Sequence, residues 1–393
     1  MKILFVASHL PYPLHSGGQV RVYNLLSRLG KKHEVTLFAF LRSETEKEYI
    51  KELSFCRKID TVYRGHAWQP HYVTKSLLST YPLLFATYAK DEMRAKITKE
   101  LSNSRYDLVH IEPSYVWPAL PTVDLPVVVG EHNIEYSGYR GYVDSFSFVP
   151  LRPFLMFDVV KLKWWEQKVW KKAARVVAVS DEDRRIITKT AGSKVDVVPN
   201  GVDLRQFPFK PKKPTLSPVF LFVGYFGWLQ NRDAVRFLAG DIWPLLKERY
   251  PNAELRIVGR QAPTELVSFI RAKGILLLEG VSDIAHEYQK ADILLAPIRL
   301  GSGSRYKILE AMASGLPVLT TSVGAGGLHV FHKKEVMIGD NPKDFVGAVG
   351  ELITNDTLRS AIVNAARKRI EASYSWEIIS RDLEKVWEKS CRK

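Results

Sequence analysis

The chain has 393 residues, of which 46% are hydrophobic and 25% are charged, and it contains two cysteines. This composition is that of a globular protein without a disulfide framework, and the length suits two domains. The net charge of +15 indicates nucleic acid, an anionic membrane surface or small anionic substrates as partners, although a generally basic surface explains it equally well. No stretch is apolar enough to span a bilayer, and the sparse cysteines predict a reducing cytoplasm.

Apolar strands alternate with helical stretches along the first half, which is typical of a parallel sheet covered by helices on both faces. The opening segment Met1–Ser8 is too short an apolar run for a signal peptide, so we interpret it as a first buried strand. Helices such as Gly18–Leu29 and Glu92–Leu101 fit between the strands. The strands are predicted at Ile3–Ala7, Glu34–Phe40, Ile59–Tyr63, Leu108–Glu112, Val127–Gly130, Val176–Val179 and Val195–Pro199.

A proline-dense stretch, Phe207–Pro214, reads as an interdomain linker, and the alternation restarts after it. We predict an α/β protein with two doubly wound Rossmann-like domains facing across a cleft, where strand-end loops would place the ligand. The domains are residues 1–204 and 219–375, joined by a linker at 205–218, and a C-terminal helix at about 376–393 packs back on the first domain. The later strands are predicted at Val219–Val223, Glu254–Val258, Ile275–Glu279, Ile293–Ala296 and Val318–Thr321, and the later helices at Asp233–Arg249, Thr264–Lys273, Asp283–Lys290 and Arg305–Ser314.

The turn after the first strand contains Ser16-Gly17-Gly18 and leads into the first helix. Two glycines let a phosphate or an acceptor approach the helix start, but a plain tight turn explains them equally well. The full Gly-x-Gly-x-x-Gly fingerprint is missing, so a nicotinamide or flavin enzyme is disfavoured.

Further polar segments follow predicted strands of the first half. His132, in Glu131-His132-Asn133, could donate to a sugar hydroxyl or to developing negative charge, although a lone histidine is more often structural. Asp181 and Asp183 follow Ser180 and resemble a metal–diphosphate motif, but a helix N-cap with acidic residues in the first turn explains them better, so we assign no metal. Asn200, in an Asn-Gly turn beside the linker, would face the cleft.

Two strand-to-helix turns in the second half favour anion binding. Gly224 opens the first turn, where Arg232 is available to an anion, although Trp228 packing with Asn231 or Asp233 as a cap is the alternative. The second turn runs from Gly301 through Ser302, Gly303 and Ser304 to a helix whose start offers unbonded N–H groups.

The helix after this second turn carries three charged residues. Arg305 and Lys307 supply fixed cations, and Glu310 could accept from sugar hydroxyls. Diphosphate and ribose recognition together indicate a nucleotide-dependent enzyme.

The segment Arg152–Arg175 is basic and rich in aromatic residues at helical spacing. It predicts either a helix lying on an anionic membrane or a helix packed on the first domain with a solvated basic face.

Taken in order, these motifs resemble a retaining GT-B glycosyltransferase of glycosyltransferase family 4, over nearly the whole chain. The residues that carry the resemblance are Ser16-Gly17-Gly18, Glu131-His132-Asn133, Val179-Ser180, Val198–Asp203, Val223-Gly224 with Trp228 and Asn231, Val258-Gly259-Arg260, and Lys307–Ala313 with Gly315–Val318. The family's usual first glutamate would stand at Ser302, and this departure resembles a branch found in bacterial surface-polysaccharide clusters.

The resemblance implies a role for each motif residue. Glu310 would bind the donor ribose, Arg305 and Lys307 would neutralise the leaving diphosphate, and His132 would meet the donor sugar. The remaining residues would line the donor site, with the N–H groups of Gly303 and Ser304 covering part of the missing glutamate's role. These are Gly17, Gly18, Asn200, Gly224, Arg232, Arg260, Val281, Gly303 and Ser304.

The leading hypothesis is a metal-independent, cytoplasmic glycosyltransferase without a cofactor, peripheral on the inner face of the plasma membrane. It would move a sugar from a nucleotide-diphosphate sugar to a glycan or lipid-linked acceptor in cell-envelope polysaccharide synthesis. A nucleotide-sugar epimerase of the same fold is the enzymatic alternative. A nucleic-acid-binding protein is the non-enzymatic alternative, but the charge is spread over both halves, so we expect no nucleic-acid partner.

Overall fold

A computed structural model describes residues 1–144, 146, 148–213, 215, 217–301 and 305–392 of the chain. Contacts divide the chain into two compact units. The N-terminal unit comprises Met1–Pro199 together with Ile379–Lys393, and the C-terminal unit comprises Asn200–Ile378.

Seven parallel strands form the sheet of the N-terminal unit, in the order β3-β2-β1-β4-β5-β6-β7. The order reverses between β1 and β4, and doubly wound sheets bind ligands at the carboxyl ends of the strands beside such a switch point. The strands are β1 (Lys2–Ala7), β2 (Glu34–Leu41), β3 (Lys58–Tyr63), β4 (Leu108–Glu112), β5 (Val127–Gly130), β6 (Arg175–Ala178) and β7 (Val195–Val197).

Helices connect these strands, and serine side chains cap the N-termini of two of the helices. Ser16 accepts a hydrogen bond from the backbone N–H of Gln19, and Ser180 accepts one from Asp183, so the predicted N-cap at Ser180 is confirmed. The helices are α1 (Gly17–Leu29), α2 (Pro70–Leu77), α3 (Leu83–Tyr88), α4 (Asp91–Asn103), α5 (Glu135–Asp144), α6 (Arg152–Lys172) and α7 (Asp181–Ala191), with 3₁₀ segments at Glu44–Leu53, Ser114–Ala119 and Val149–Leu151.

The sheet of the C-terminal unit has six parallel strands in the order β10-β9-β8-β11-β12-β13, so its switch point lies between β8 and β11. The strands are β8 (Val219–Tyr225), β9 (Glu254–Arg260), β10 (Leu276–Glu279), β11 (Ile293–Ala296), β12 (Val318–Thr320) and β13 (Met337–Ile338). The helices are α8 (Leu229–Phe237), α9 (Trp243–Arg249), α10 (Thr264–Ala272), α11 (Ile284–Lys290), α12 (Tyr306–Ser314), α13 (Ser322–Ala325), α14 (Pro342–Thr354) and α15 (Asp356–Ser373), with a π-helical segment at Leu238–Ile242.

The last helix, α16 (Trp376–Cys391), contributes most of its length to the N-terminal unit. Trp387 is fully buried, and its Nε1–H donates to Nδ1 of His110 on β4 over 2.9 Å. Glu384 pairs with Lys32 and His33, which follow α1. These contacts fix α16 against the first sheet.

The expectation of two doubly wound Rossmann-like folds is confirmed by the two parallel sheets. Two details differ from the sequence prediction. The short strand β13 is missed because two residues carry no periodicity. Helix α8 begins at Leu229, four residues before the predicted start, so neither Asn231 nor Asp233 caps it.

Candidate active site

Two paired glycines lie near the carboxyl ends of β8 and β9 in the C-terminal unit, and β8 borders the switch point. Gly224 on β8 pairs with Gly259 on β9. A Cβ atom at Gly259 would lie 2.1 Å from the carbonyl oxygen of Gly224, and one at Gly224 would lie 3.1 Å from Cγ of Asn231. Only glycine fits at Gly259, and the space beside Gly224 is taken by the amide of Asn231.

The turn into α12 follows β11 on the other side of this switch point. Gly301 has φ of +89°, a conformation that favours glycine, and its carbonyl oxygen accepts from Nη2 of Arg305 over 2.5 Å. Arg305 is the N-cap residue of α12, and its side chain makes no cap hydrogen bond. The predicted donors Gly303 and Ser304, and the departure at Ser302, lie outside the described residues.

Lys307, in the first turn of α12, is a half-buried ammonium group between two side chains. Its Nζ donates to Oδ1 of Asn231 over 2.7 Å and lies 4.2 Å from the centroid of the Phe222 ring. Burial, helped by the neighbouring charge of Arg305, lowers the pKa of Lys307 to about 7. An anion bound beside this group would restore the charge that burial disfavours.

Glu310 lies one turn further along α12 and is held by a buried tyrosine. The Tyr288 hydroxyl on α11 is 2.7 Å from Oε2 of Glu310, to which it donates, and also lies 3.3 Å from the Lys307 carbonyl oxygen. Burial raises the pKa of Glu310. In the described part of the chain no group is seen donating to Oε1, which leaves that oxygen for a hydroxyl donor.

The other predicted donor-site residues of the C-terminal unit are more dispersed. Arg232 lies on α8 beside Asn231, and its Nε is buried without a hydrogen-bond partner among the described residues. Arg260 is the exposed last residue of β9. Val281 packs against the hydrophobic core, and Asn200 is buried at the start of the unit.

A buried carboxylate, Glu112 at the end of β4, organises the switch point of the N-terminal unit. Its Oε1 accepts from Nε of Arg21 over 2.6 Å and lies 2.9 Å from Nε2 of His132, while its Oε2 lies 3.3 Å from Nε2 of His110. Burial opposes ionisation of Glu112, but the Arg21 charge and the two histidine hydrogen bonds outweigh burial and hold its pKa well below the usual range.

This network assigns the proton positions on both histidines. Nδ1 of His110 accepts from the Trp387 indole, so its Nε2 carries the hydrogen that Glu112 accepts. An ionised Glu112 also requires an N–H at Nε2 of His132. Neutral His132 therefore presents Nδ1 as an acceptor, and it donates from Nδ1 only when protonated.

The same unit brings the predicted Gly18 beside His132. A Cβ atom at Gly18 would lie 2.8 Å from Cε1 of His132 and 3.2 Å from Cε1 of His9. Gly17 is the first residue of α1. Gly18 thus lets α1 begin against the histidine rings, and a side chain there would displace them.

Glu131, the residue before His132, has a structural role. Its carboxylate accepts from the Trp170 indole over 2.6 Å and from the Ser114 backbone N–H over 3.3 Å. Burial raises the pKa of Glu131 to about 8. The neighbouring buried Glu166 accepts from the first N–H groups of α5 at Glu135 and Tyr136. These two carboxylates anchor α5 and α6 beside the Glu112 network.

Two protein-family models match successive parts of the chain. The model described as Glycosyltransferase Family 4 matches residues 15–206, and the model described as Glycosyl transferases group 1 matches residues 217–355. The chain belongs to the family 4 type of glycosyltransferases.

Relatives and a solved structure are similar to this chain over most of its length. Spore coat protein SA of Bacillus subtilis is 24% identical and aligns with 99% of this chain and 100% of its own length. Phosphatidyl-myo-inositol mannosyltransferase of Mycolicibacterium smegmatis is 27% identical over 75% of this chain and 74% of its own. The crystal structure of Anabaena HepE in complex with UDP and glucose shares the fold, with a TM-score of 0.65, 16% identity and coverage of 99% of this chain and 100% of that one.

Several residues around α12 and in the Glu112 network were not predicted from the sequence. Asn231 carried part of the resemblance and was otherwise given only as an alternative cap, and its Oδ1 accepts from Lys307. Glu112 ended a predicted strand, and a carboxylate at the carboxyl end of a parallel strand is a signal that could have found it. Arg21 lies inside an amphipathic helix and Tyr288 lies on a short helix, and neither position carries a motif.

Proposed function

We propose that this glycosyltransferase moves a sugar from a nucleotide-diphosphate sugar to a glycan or lipid-linked acceptor with retention at the anomeric carbon, and without a metal. The observation that carries the proposal is the arrangement on α12, where a half-buried cation, Lys307, and a half-buried carboxylate, Glu310, lie one turn apart. The cation suits a bound diphosphate, and the carboxylate suits ribose hydroxyls, from which it can accept hydrogen bonds. The UDP and glucose bound by HepE support such a donor.

The proposed chemistry uses charge stabilisation. As the sugar–oxygen bond breaks, negative charge develops on the departing diphosphate, and Arg305, Lys307 and Arg232 stabilise it. The acceptor hydroxyl attacks from the face that the diphosphate leaves, and the diphosphate oxygen takes the hydroxyl proton. In the N-terminal unit, we assign His132 to sugar recognition.

The test of this proposal is the anomeric configuration of the first-formed product, followed by proton NMR during turnover. We expect the configuration of the donor to be kept. An inverted product would refute retention. Turnover of the nucleotide sugar to a second nucleotide sugar without acceptor would identify an epimerase instead.

The lowered pKa of Lys307 predicts that nucleoside-diphosphate affinity depends on pH. A bound diphosphate stabilises the ammonium form, so binding raises the pKa of Lys307 from about 7 and takes up a proton. Between about pH 7.5 and 9 we expect nucleoside-diphosphate affinity to fall by roughly tenfold per pH unit, because each unit deprotonates more of the unliganded enzyme. Calorimetric titrations in two buffers of different ionisation enthalpy measure this proton uptake. Lys307→Arg should flatten the profile, and a flat profile in the wild type would contradict the assignment.

We further propose that α6 places the enzyme on an anionic membrane. The side chains of Phe154, Phe157 and Trp164 are 72%, 66% and 50% exposed, and their spacing puts them on one face of α6. Leu77 and Leu78 at the end of α2 are also exposed. No helix in the described ranges is long and apolar enough to cross a membrane.

Lys161 connects the end of α2 to α6, so the exposed side chains of the two helices adjoin. Nζ of Lys161 donates to the carbonyl oxygens of Ser76 and Ser79, which holds the end of α2 against α6. Lys168 lies 4.5 Å from the centroid of the Trp164 ring. The surface therefore combines apolar side chains that can enter the headgroup region with cations that attract anionic lipids.

Vesicle sedimentation tests this surface. Replacing both Phe154 and Phe157 by serine should lower binding to vesicles containing phosphatidylglycerol by at least about tenfold, because burying one phenylalanine is worth about 1.5–3 kcal/mol. Phe331→Ser is the control, since Phe331 is 58% exposed in the C-terminal unit. Wild-type protein that ignores these vesicles at low salt would refute the proposal.

A further inference from the structure

An arginine without a counter-ion lies at the carboxyl ends of the first three strands of the N-terminal unit. Arg64 follows β3 and is 5% exposed. Its Cζ lies 4.8 Å from the centroid of the Tyr88 ring, and its Nε is buried without a hydrogen-bond partner. Within the described ranges we find no carboxylate bonded to its side chain. Burying an unpaired charge is costly, so such a group signals a missing anion.

A second unused donor faces the same region. The Tyr115 hydroxyl donates to Oγ of Ser8 over 3.4 Å, and Oγ of Ser8 lies 2.9 Å from Nδ1 of His9. When Oγ of Ser8 donates to Nδ1, the N–H of His9 lies at Nε2, which is buried and has no partner among the described residues. Burial, followed by the charges of His132, Arg42 and Arg64, lowers the pKa of His9 to about 3, so the ring stays neutral.

The surroundings of Arg64 are cationic and hydroxylated. Arg42, the exposed residue after β2, is close enough to act on the pKa of His9 and of Tyr88. The ring centroids of Tyr88 and Tyr115 lie 4.9 Å apart, and the two rings border this region. Two carboxyl groups act on residues of this region: Glu135 on both tyrosines, and Glu112, which is already paired with Arg21, on His9. Burial raises the pKa of Glu135, which makes it a poor counter-ion.

We propose that Arg64, with His9 and Arg42, binds a phosphate group carried by the acceptor. The guanidinium fork and the imidazole N–H offer more donors than a carboxylate can accept, and a tetrahedral phosphate matches them. This inference rests on the proposed function, because it names the substrate class that the N-terminal unit takes. The phosphate belongs either to a lipid-linked acceptor or to a water-soluble sugar phosphate.

Isothermal titration of the full-length protein tests the site with methyl phosphate and with short-chain phosphatidic acid below its micellar concentration. We expect Arg64→Met to weaken both probes at least tenfold and Arg64→Lys to weaken them less, because lysine keeps the charge without the fork. The nucleoside-diphosphate affinity of Arg64→Met should stay within twofold of wild type. Binding of phosphatidic acid alone indicates that the site recognises a lipid phosphate. Binding of both probes indicates that the site recognises the phosphate group whether or not a lipid carries it.

Two controls make the outcome decisive. Arg305→Ala should keep the methyl phosphate site and lose nucleoside-diphosphate affinity. The melting temperature of Arg64→Met without ligand should equal or exceed that of wild type, since the variant removes an uncompensated charge. Unchanged methyl phosphate affinity in Arg64→Met, or an equal loss of nucleoside-diphosphate affinity, would overturn the inference. Failure of wild type to bind any nucleoside diphosphate would instead refute the proposed donor, and would leave the Arg64 comparison intact.

Discussion

Glu310→Gln should reduce kcat/KM by roughly 10²–10³-fold while the protein keeps its fold. The substitution keeps the size of the side chain but removes the charge that would accept ribose hydroxyls, and truncating a buried hydrogen-bonded charge at an interface costs about 2–5 kcal/mol. Tyr288 would still reach the amide oxygen, so the position of the side chain is kept. Steady-state kinetics with donor and acceptor varied separately measure the loss.

Two further variants serve as comparisons for Glu310→Gln. Tyr288→Phe removes the hydroxyl that orients Glu310 and should cost roughly three- to tenfold, in line with about 1 kcal/mol for one hydrogen bond. Glu265→Gln changes a carboxylate on α10 of the same unit that is 83% exposed, and should leave kinetics unchanged. Full activity in Glu310→Gln would remove the ribose role from our account.

Glu112→Gln should destabilise the folded protein by about 3–5 kcal/mol near neutral pH, the range for breaking a buried ion pair by removing one partner. Glu112 and Arg21 are both about 1% exposed, so the variant leaves a buried guanidinium without its carboxylate. The amide also offers one acceptor oxygen where the carboxylate offers two, so Arg21 and the two histidines compete for it. Urea denaturation followed by circular dichroism measures the free energy of unfolding.

The pH dependence and a double variant check the cause. The folded pKa of Glu112 is depressed, so its stabilisation is present above the unfolded value of about 4.3 and is lost as pH falls towards the folded pKa. Adding Arg21→Met to Glu112→Gln should recover part of the loss, because no charge is then orphaned. Glu34→Gln, which breaks an exposed ion pair with Arg57, should cost under about 1 kcal/mol. Equal costs for Glu112→Gln and Glu34→Gln would contradict the account.

Residues with a local signal were predictable. The strands that form both sheets are near-continuous apolar runs, and Ser180 caps α7 because a serine before three acidic residues satisfies the first N–H groups. The turn before α12 was found for the same reason, since a strand, small residues and a basic helix start adjoin in the chain.

Residues that act across the sheet were not predictable from one sequence. Asn231 looks like a cap in the chain and bonds Lys307, which lies 76 positions away. Glu131 and His132 form one motif, yet Glu131 anchors Trp170 while His132 joins Glu112. Arg64 carries no motif at all, and its significance appears only when the structure shows it buried with no carboxylate paired to it among the described residues.

We propose that α12 of this glycosyltransferase binds a nucleotide-diphosphate sugar through Lys307 and Glu310. The most direct measurement is a thermal-shift panel of nucleotide-diphosphate sugars on wild type, Glu310→Gln and Glu265→Gln. We predict that at least one nucleotide sugar at about 100 times its dissociation constant stabilises wild type and Glu265→Gln by roughly 2.7 kcal/mol, and stabilises Glu310→Gln far less. Equal stabilisation of all three proteins, or of none of them by any nucleotide sugar, would contradict it.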